Sequence, residues 1–304
     1  MLRSVTVINN LGDRLTMELA HPEKSGFLIT DMDGIGGASA DINTTELSAQ
    51  DGSMFNSSKR TERNISMTLD FRYAADIETA RQMTYKYFPV KKQCQLLFVS
   101  DNRTSYITGY VESNEPSIFE EHEVTTISLI CPDPNFYKVS NVQTMFSGVV
   151  DMFEFAFEAS MDNREDGRTL EMGSIEHRTR QTVYYEGDVD VGFNMIIHAL
   201  GEASNVTVYN IDTREYIHID TDKLESMTGS TIIYGDTINI CTIKGQKSAY
   251  LLRDGVLTNI LNCLGKTPDW FVLTKGDNVY GFTADEGEEY LDFTIEHKVA
   301  YEGA

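Results

Sequence analysis

The sequence predicts a mostly β protein of two domains, with one helix packed on the first. Three observations carry this. Residues 64–73, NISMTLDFRY, alternate apolar and polar side chains without a break, the period of a half-buried strand. The second half is a succession of short β-branched and aromatic runs separated by Gly and Asx turns, the pattern of a sandwich or barrel. Only one segment, after Asp76, has helical spacing behind a good N-cap. At 304 residues the chain exceeds one ordinary core, and two domains of roughly 100–200 residues are expected.

Val5 and Val7, then Leu15, Met17 and Leu19, alternate with polar residues on either side of Asn9-Asn10-Leu11-Gly12-Asp13, which predicts an opening hairpin. Residues 31–60 are rich in Gly, Ser, Asn and Asp and poor in periodic apolar positions, so they read as a long exposed loop or arm. Loops of that length are uncommon within compact domains and are usually functional. The strand that follows sets Ile65, Met67, Leu69, Phe71 and Tyr73 on one face and Ser66, Thr68, Asp70 and Arg72 on the other. From Asp76, residues Ile77, Ala80, Met83, Tyr87 and Phe88 recur at helical spacing, and Pro89 stops the helix. QLLFV, YITGYVE and VTTISLICP read as further strands.

Pro132 and Pro134 in CPDPNFYK stiffen the exit from the last of these strands, which places the domains at residues 1–138 and 139–304. The second domain reads as strands and turns with no helix: FEFAF, TVYY, NMIIHAL, NVTVYNI, IHI, TIIYG, TINICTI, SAYLLR, VLTNIL, DWFVLT, VYGFTA and YLDFTIE. Arg253-Asp254-Gly255-Val256 predicts a two-residue hairpin turn, and Lys275-Gly276-Asp277-Asn278 a second turn.

A net charge of −22, from 25 basic and 47 acidic residues, argues against nucleic-acid binding, which draws its affinity from clustered Lys and Arg. The first domain holds 13 basic and 19 acidic residues and the second 12 and 28, so most of the excess acid lies in the second. Such charge keeps a β-rich assembly protein soluble, or it faces a basic partner. Cys94, Cys131, Cys241 and Cys263 form no C-x-x-C pair and are expected as buried free thiols. No apolar run reaches the ~18 residues of a spanning helix, and the N-terminus alternates where a secretory leader would be continuously apolar. No membrane insertion is expected, and the chain is expected to be made in the cytoplasm.

Chemistry-bearing motifs are absent. Gly34–Ser39, GIGGAS, lacks the preceding strand and following helix of a phosphate loop. Asp31-Met32-Asp33-Gly34 lacks the later ligands of a calcium loop, with Ile42 where the bidentate Glu would stand. The six histidines show no metal-site spacing, and no serine sits in a G-x-S-x-G elbow. Asp220-Thr221-Asp222 could ligate a cation but more simply makes a turn. No catalytic, cofactor-binding or metal-ligating residue is predicted, no cofactor is implied, and no enzymatic activity is expected.

Particular strings carry a resemblance. Asp51-Gly52-Ser53-Met54-Phe55-Asn56-Ser57-Ser58, with Arg60 and Arg63-Asn64-Ile65, is similar to the arm-and-strand region of the siphovirus-type phage tail component family, the distal tail proteins. Gly109-Tyr110-Val111-Glu112, Glu115-Pro116 and Ile127 through Tyr137 (ISLICPDPNFY) resemble that family's close of the N-terminal domain. Gly187–Phe193 (GDVDVGF), Gly235–Ile240 (GDTINI), the Gly245–Ser248 turn and Trp270–Gly281 resemble its second domain, while residues 140–180 match least.

The resemblance implies an N-terminal β-sandwich or split-barrel domain with a helix, forming a belt, and a C-terminal galectin-like β-sandwich. It further implies a hexameric ring in the virion or a tail-like particle, assembled in the bacterial cytoplasm. Such a ring joins the tail tube protein to the tail-tip hub protein and anchors receptor-binding proteins. Residues 31–60 would then reach across a neighbouring subunit, with Met54 and Phe55 as apolar anchors, Arg60 and Arg63 pairing with acid, and Asp51 as a further interface candidate. The alternative is a carbohydrate-binding adhesion module of a phage tail, for which Trp270 would be the stacking platform, although its DWFVL context favours burial.

Overall fold

In a computed structural model of the chain, residues 1–46, 51–119, 123–150, 174–177 and 179–304 are described, the strands at 147–150 and 174–177 by backbone alone. The chain forms two compact units, Met1–Ser140 with Val299–Ala304, and Asn141–Lys298.

The first unit contains β1 (Leu2–Ile8), β2 (Arg14–Glu18), β3 (Leu28–Asp33), β4 (Ala40–Glu46), β5 (Ser53–Arg60), β6 (Arg63–Asp70), α1 (Ile77–Tyr87), β7 (Gln93–Ser100), β8 (Thr104–Pro116), β9 (Val124–Cys131) and β10 (Phe136–Lys138). Its main sheet runs β2-β1-β7-β8-β9-β6-β3, all antiparallel, with β10 added on β8. Register shifts at Leu2/Ser4, Ile29/Asp31 and Val111/Ser113 bend the strands, and such bulges let one sheet curl over its own apolar face. That face buries Val5, Val7, Met17, Ile65, Met67, Leu69, Phe98 and Leu129, with Phe27 edge-on to Phe71 at 5.8 Å and Phe98 edge-on to Phe136 at 5.5 Å.

The opening hairpin, the amphipathic strand β6 and the capped helix stand where the periodicity put them. Asp76 caps α1 by accepting from the Thr79 amide at 3.0 Å. Tyr73, expected on the buried face of β6, lies beyond the strand's end and is exposed. The unit also takes in the last six residues, where the sequence division ran the second domain to residue 304. The reason is a short strand, Ala300–Tyr301, whose Tyr301 and Ala300 pair with Phe136 and Tyr137 of β10.

Residues 31–60 are not the irregular loop expected. After β3 the chain makes a two-stranded antiparallel ribbon, β4–β5, that joins no other sheet. Thr44, Thr45 and Ile42 opposite Phe55, Met54 and Ser58 supply the β-branched and aromatic pairs that favour strand pairing.

The second unit contains β11 (Val142–Met145), β12 (Ser147–Val150), β13 (Ser174–His177), β14 (Arg180–Tyr185), β15 (Asn194–Ala199), β16 (Thr207–Asn210), β17 (Tyr216–His218), α2 (Thr221–Thr228), β18 (Thr237–Cys241), β19 (Ser248–Arg253), β20 (Val256–Asn259), β21 (Gly276–Thr283) and β22 (Leu291–His297); β23 (Ala300–Tyr301) follows in the first unit. A six-stranded sheet, β11-β22-β15-β18-β19-β20, and a four-stranded sheet, β14-β21-β16-β17, form a β-sandwich. Phe282 of the smaller sheet stacks on Phe293 of the larger at 3.8 Å, and Phe193, Phe271 and Tyr280 fill the space beside them.

The Asp254-Gly255 hairpin turn forms with both residues at positive φ, 49° and 77°, which only residues such as Asp, Asn and Gly accept readily. Three expectations are corrected. Asp220 does not make a simple turn: it caps α2, a short helix closed by Gly229 in the left-handed region. TIIYG and DWFVLT form no ladders and pair through single bridges, Ile232 with Ala203 and Leu273 with Val191. With DWFVLT off the ladder, the Lys275–Asn278 segment makes no hairpin, and β21 begins within it at Gly276. FEFAF lies outside the described residues.

Candidate functional site: an exposed ribbon on a buried arginine

The ribbon grows from a tightly built foot. Arg63, the first residue of β6, is 4% exposed. Its Nε donates to the Pro134 carbonyl at 2.7 Å, Nη1 to the Gly34 carbonyl at 2.5 Å and to that of Gly36, and Nη2 to the Glu302 carbonyl at 2.7 Å. The guanidinium carbon lies 4.7 Å from the Phe136 ring centroid. Burial lowers the Arg63 pKa from the ordinary guanidinium value, yet a guanidinium remains charged. The donors are thus spent on backbone oxygens from three stretches of chain. Gly34 sits at φ +82°, and a Cβ there would come within 2.0 Å of the Asn64 carbonyl oxygen, so only glycine fits beneath the guanidinium.

Arg60, at the end of β5, donates to Asn135 Oδ1 at 3.1 Å and pairs with the Glu302 carboxylate. The Thr61 amide donates to Ser39 O and the Ala304 amide to Ile35 O, each at 3.0 Å.

Above the foot the ribbon has no core of its own. Every residue of both strands is exposed, including Ile42 at 64%, Met54 at 53% and Phe55 at 62%. The register places Ile42, Thr44 and Phe55 on one face and Met54, Thr45 and Asn43 on the other. Side-chain ties are few: Asn43 to Ser57 at 3.1 Å, Asn56 to Thr45 at 2.6 Å, and Lys59 to Asp41 at 3.7 Å. Asp51 and Gly52, the latter at φ +92°, lie at the tip.

Among the described residues no group of three His, Cys, Asp or Glu could hold a metal ion, and no helix is long and apolar enough to cross a membrane. Burial pushes the Cys94 thiol up to about 12 and Cys131 to about 11, which makes both poor nucleophiles. The Asp220 carboxylate is engaged by the Lys223 side chain at 2.8 Å and amide at 3.1 Å, and these hold its pKa below the usual carboxylate value. Trp270 is half-buried outside any strand, with the Lys247 ammonium 5.1 Å from its ring centroid.

No protein-family model matches the sequence, and no curated protein matches it. Among solved structures, the chain superposes on the SPP1 Dit protein, described as a paradigm of the hub adsorption apparatus in phages infecting Gram-positive bacteria. The superposition covers 97% of this chain and 98% of that one, with a TM-score of 0.62 and 13% identity. The chain has the fold of a phage distal tail protein. Chains of the phage P2 baseplate in its activated conformation, with Ca and with Sr, align over 98% of this chain and 99% of theirs at 12% identity, with TM-scores of 0.47 and 0.46.

Within this distal tail protein fold the five residues singled out from the sequence divide by position. Asp51, Met54 and Phe55 are on the outer ribbon, and Arg60 is at its base. Arg63 lies inside the fold, where it holds the base in place. Sequence reasoning missed the partners of Arg63, since Gly34, Pro134 and Glu302 are remote in sequence and offer only backbone oxygens.

Proposed function

We propose that the chain is a non-enzymatic structural subunit of a phage tail tip that assembles as a ring, a hexamer, between the tail tube and the tail-tip hub. The observation that carries this reading is the end-to-end correspondence of fold with a Dit protein of an adsorption hub. The ribbon supports it independently. An isolated two-stranded ribbon is marginal in water, and this one spends Ile42, Met54 and Phe55 on solvent. Covering such side chains gains roughly 1.5–3 kcal/mol each, an incentive for the ribbon to lie on a neighbouring copy. Arg60 and Arg63 fix its angle of departure, and Asp51 at the tip meets the neighbour's surface. The ring would sit in the virion or a tail-like particle, and its second unit would offer the platform for receptor-binding proteins.

Light scattering on a sizing column, with negative-stain images of the same peak, tests the proposal. The expected species has a mass of about 205 kDa, six times the 34.2 kDa chain, and a central channel. A monomer at every concentration, alone and with the tail tube and hub proteins added, would overturn it.

A further inference from the structure

The outer face of the four-stranded sheet carries a feature separate from the ribbon. In register across four strands lie Arg180 on β14, Gly281 on β21, Tyr209 on β16 and Tyr216 on β17. Three interstrand steps of about 4.8 Å make this row roughly 14 Å long. Gly281 is essential to its shape. A Cβ there would meet Cε2 and Cζ of Tyr209 at 2.8 Å, so the missing side chain lets the Tyr209 ring lie against the sheet and form a floor. Tyr216, 53% exposed, extends that floor to the sheet edge. Around it lies an open depression of about 350 Å³, rimmed by Arg180 and Arg214.

Most arginines of this acidic chain are engaged, and besides these two only the Arg14 side chain has no partner among the described residues. Arg3, Arg60, Arg72, Arg81 and Arg253 all pair with carboxylates, and Arg63 and Arg103 reach backbone oxygens. The guanidinium groups of Arg180 and Arg214 have no hydrogen-bond or ion-pair partner among the described residues. The acids beside them are occupied elsewhere: Asp212 accepts from the Val279 amide at 3.1 Å, Glu215 from the Thr213 hydroxyl at 2.9 Å, and Asp269 from the Tyr216 amide at 3.1 Å. Arg214 is also held at φ +62°, a costly conformation for a residue with a Cβ. The buried Asn210 enforces it, its side chain accepting from the Asp212 and Thr213 amides and its carbonyl from the Arg214 amide. Strain kept at one rim residue marks a place where position matters.

We propose that this row is a binding site for an anionic saccharide, a sugar unit bearing a carboxylate or a phosphate. The flat tyrosine faces suit the C–H face of a sugar ring, and the guanidinium forks suit the paired oxygens of carboxylate or phosphate. Nucleic acid is disfavoured by the chain's net charge of −22. A peptide adding to the sheet is disfavoured because the row crosses the sheet's face, where the backbone groups of β21 and β16 are already paired.

The full chain is titrated by calorimetry and saturation-transfer NMR with trigalacturonate, glucose 6-phosphate, neutral maltotriose, inorganic phosphate and triglutamate. One or both charged sugars bind, maltotriose is at least about tenfold weaker, and Arg180→Gln, Arg214→Gln and Tyr216→Ser each weaken binding by about tenfold or more. Trp270→Ala leaves it unchanged, and the preferred sugar identifies the anion. Inorganic phosphate or triglutamate binding as well as the sugars would overturn the proposal in favour of a bare anion patch or an acidic-peptide site. So would no binding at millimolar sugar, or loss of binding in Trp270→Ala with the arginine variants unaffected. None of these outcomes depends on whether rings form.

Discussion

At Arg63 one guanidinium satisfies carbonyl oxygens from three stretches of chain, and removing it leaves Gly34, Gly36, Pro134 and Glu302 without that donor. Arg63→Ala is expected to destabilise the first unit by about 3 kcal/mol or more. Arg63→Lys should recover only part, since one ammonium cannot span the three segments a planar fork reaches. The shift in denaturant midpoint for that unit measures both. His297 offers a different test. It is 3% exposed, packs edge-on to Tyr185 at 5.7 Å, and neither ring nitrogen has a hydrogen-bond partner among the described residues. Burial pushes its pKa down, and the charge of Glu186 opposes this only in part. With the folded pKa depressed, the unfolded chain binds the proton more readily. The stability due to neutral His297 is therefore complete above the unfolded pKa of about 6.5 and is lost as pH falls through the folded pKa. Melting temperatures between pH 7.5 and 5.5 should fall for the native chain and fall less for His297→Leu. Equal slopes would show that this ring does not couple to folding.

At the scale of elements, the ribbon predicts a separation of stability from assembly. Ile42 and Phe55 touch solvent, so Ile42→Ser with Phe55→Ser should shift the monomer's unfolding free energy by no more than about 0.5 kcal/mol. The same pair should abolish the ring, read on a sizing column; rings that persist would remove the ribbon from the interface. The elements legible in the sequence were those governed by neighbours in sequence. The alternation of Ile65, Met67 and Leu69, the cap at Asp76 and the Asp254-Gly255 turn each act over a few residues, and each stands in the structure. The rest depends on remote partners or weak local signals. Helix α2 has only eight residues behind Asp220, too few for a period to show against the Asx-turn chemistry of the same string. The ribbon's polar composition concealed its pairing, because strands with two solvated faces carry no apolar alternation. For the candidate assembly site, Met54 and Phe55 could be found as apolar residues in a polar tract. The role of Arg63 could not, since nothing in its sequence neighbourhood names the oxygens it holds.

At the scale of the molecule, the chain passes out of the first unit at residue 140 and returns to it at 299. The returning strand β23 pairs with β10, and the segment supplies the Glu302 carbonyl to Arg63 and its carboxylate to Arg60. Removing Val299–Ala304 should therefore weaken the first unit while leaving the second folded, which amide exchange would show as lost protection in β10 and β6 with β15 and β22 still protected. The same arrangement acts on time. Those residues are translated after all of the second unit, so until they are made the sheet lacks β23 and the ribbon's foot lacks three of its ties, those of the Glu302 carbonyl, the Glu302 carboxylate and the Ala304 amide. On the proposed reading of the ribbon as the subunit clasp, vectorial synthesis would withhold a properly aimed ribbon from chains still on the ribosome and keep unfinished neighbours on one polysome from clasping one another too early.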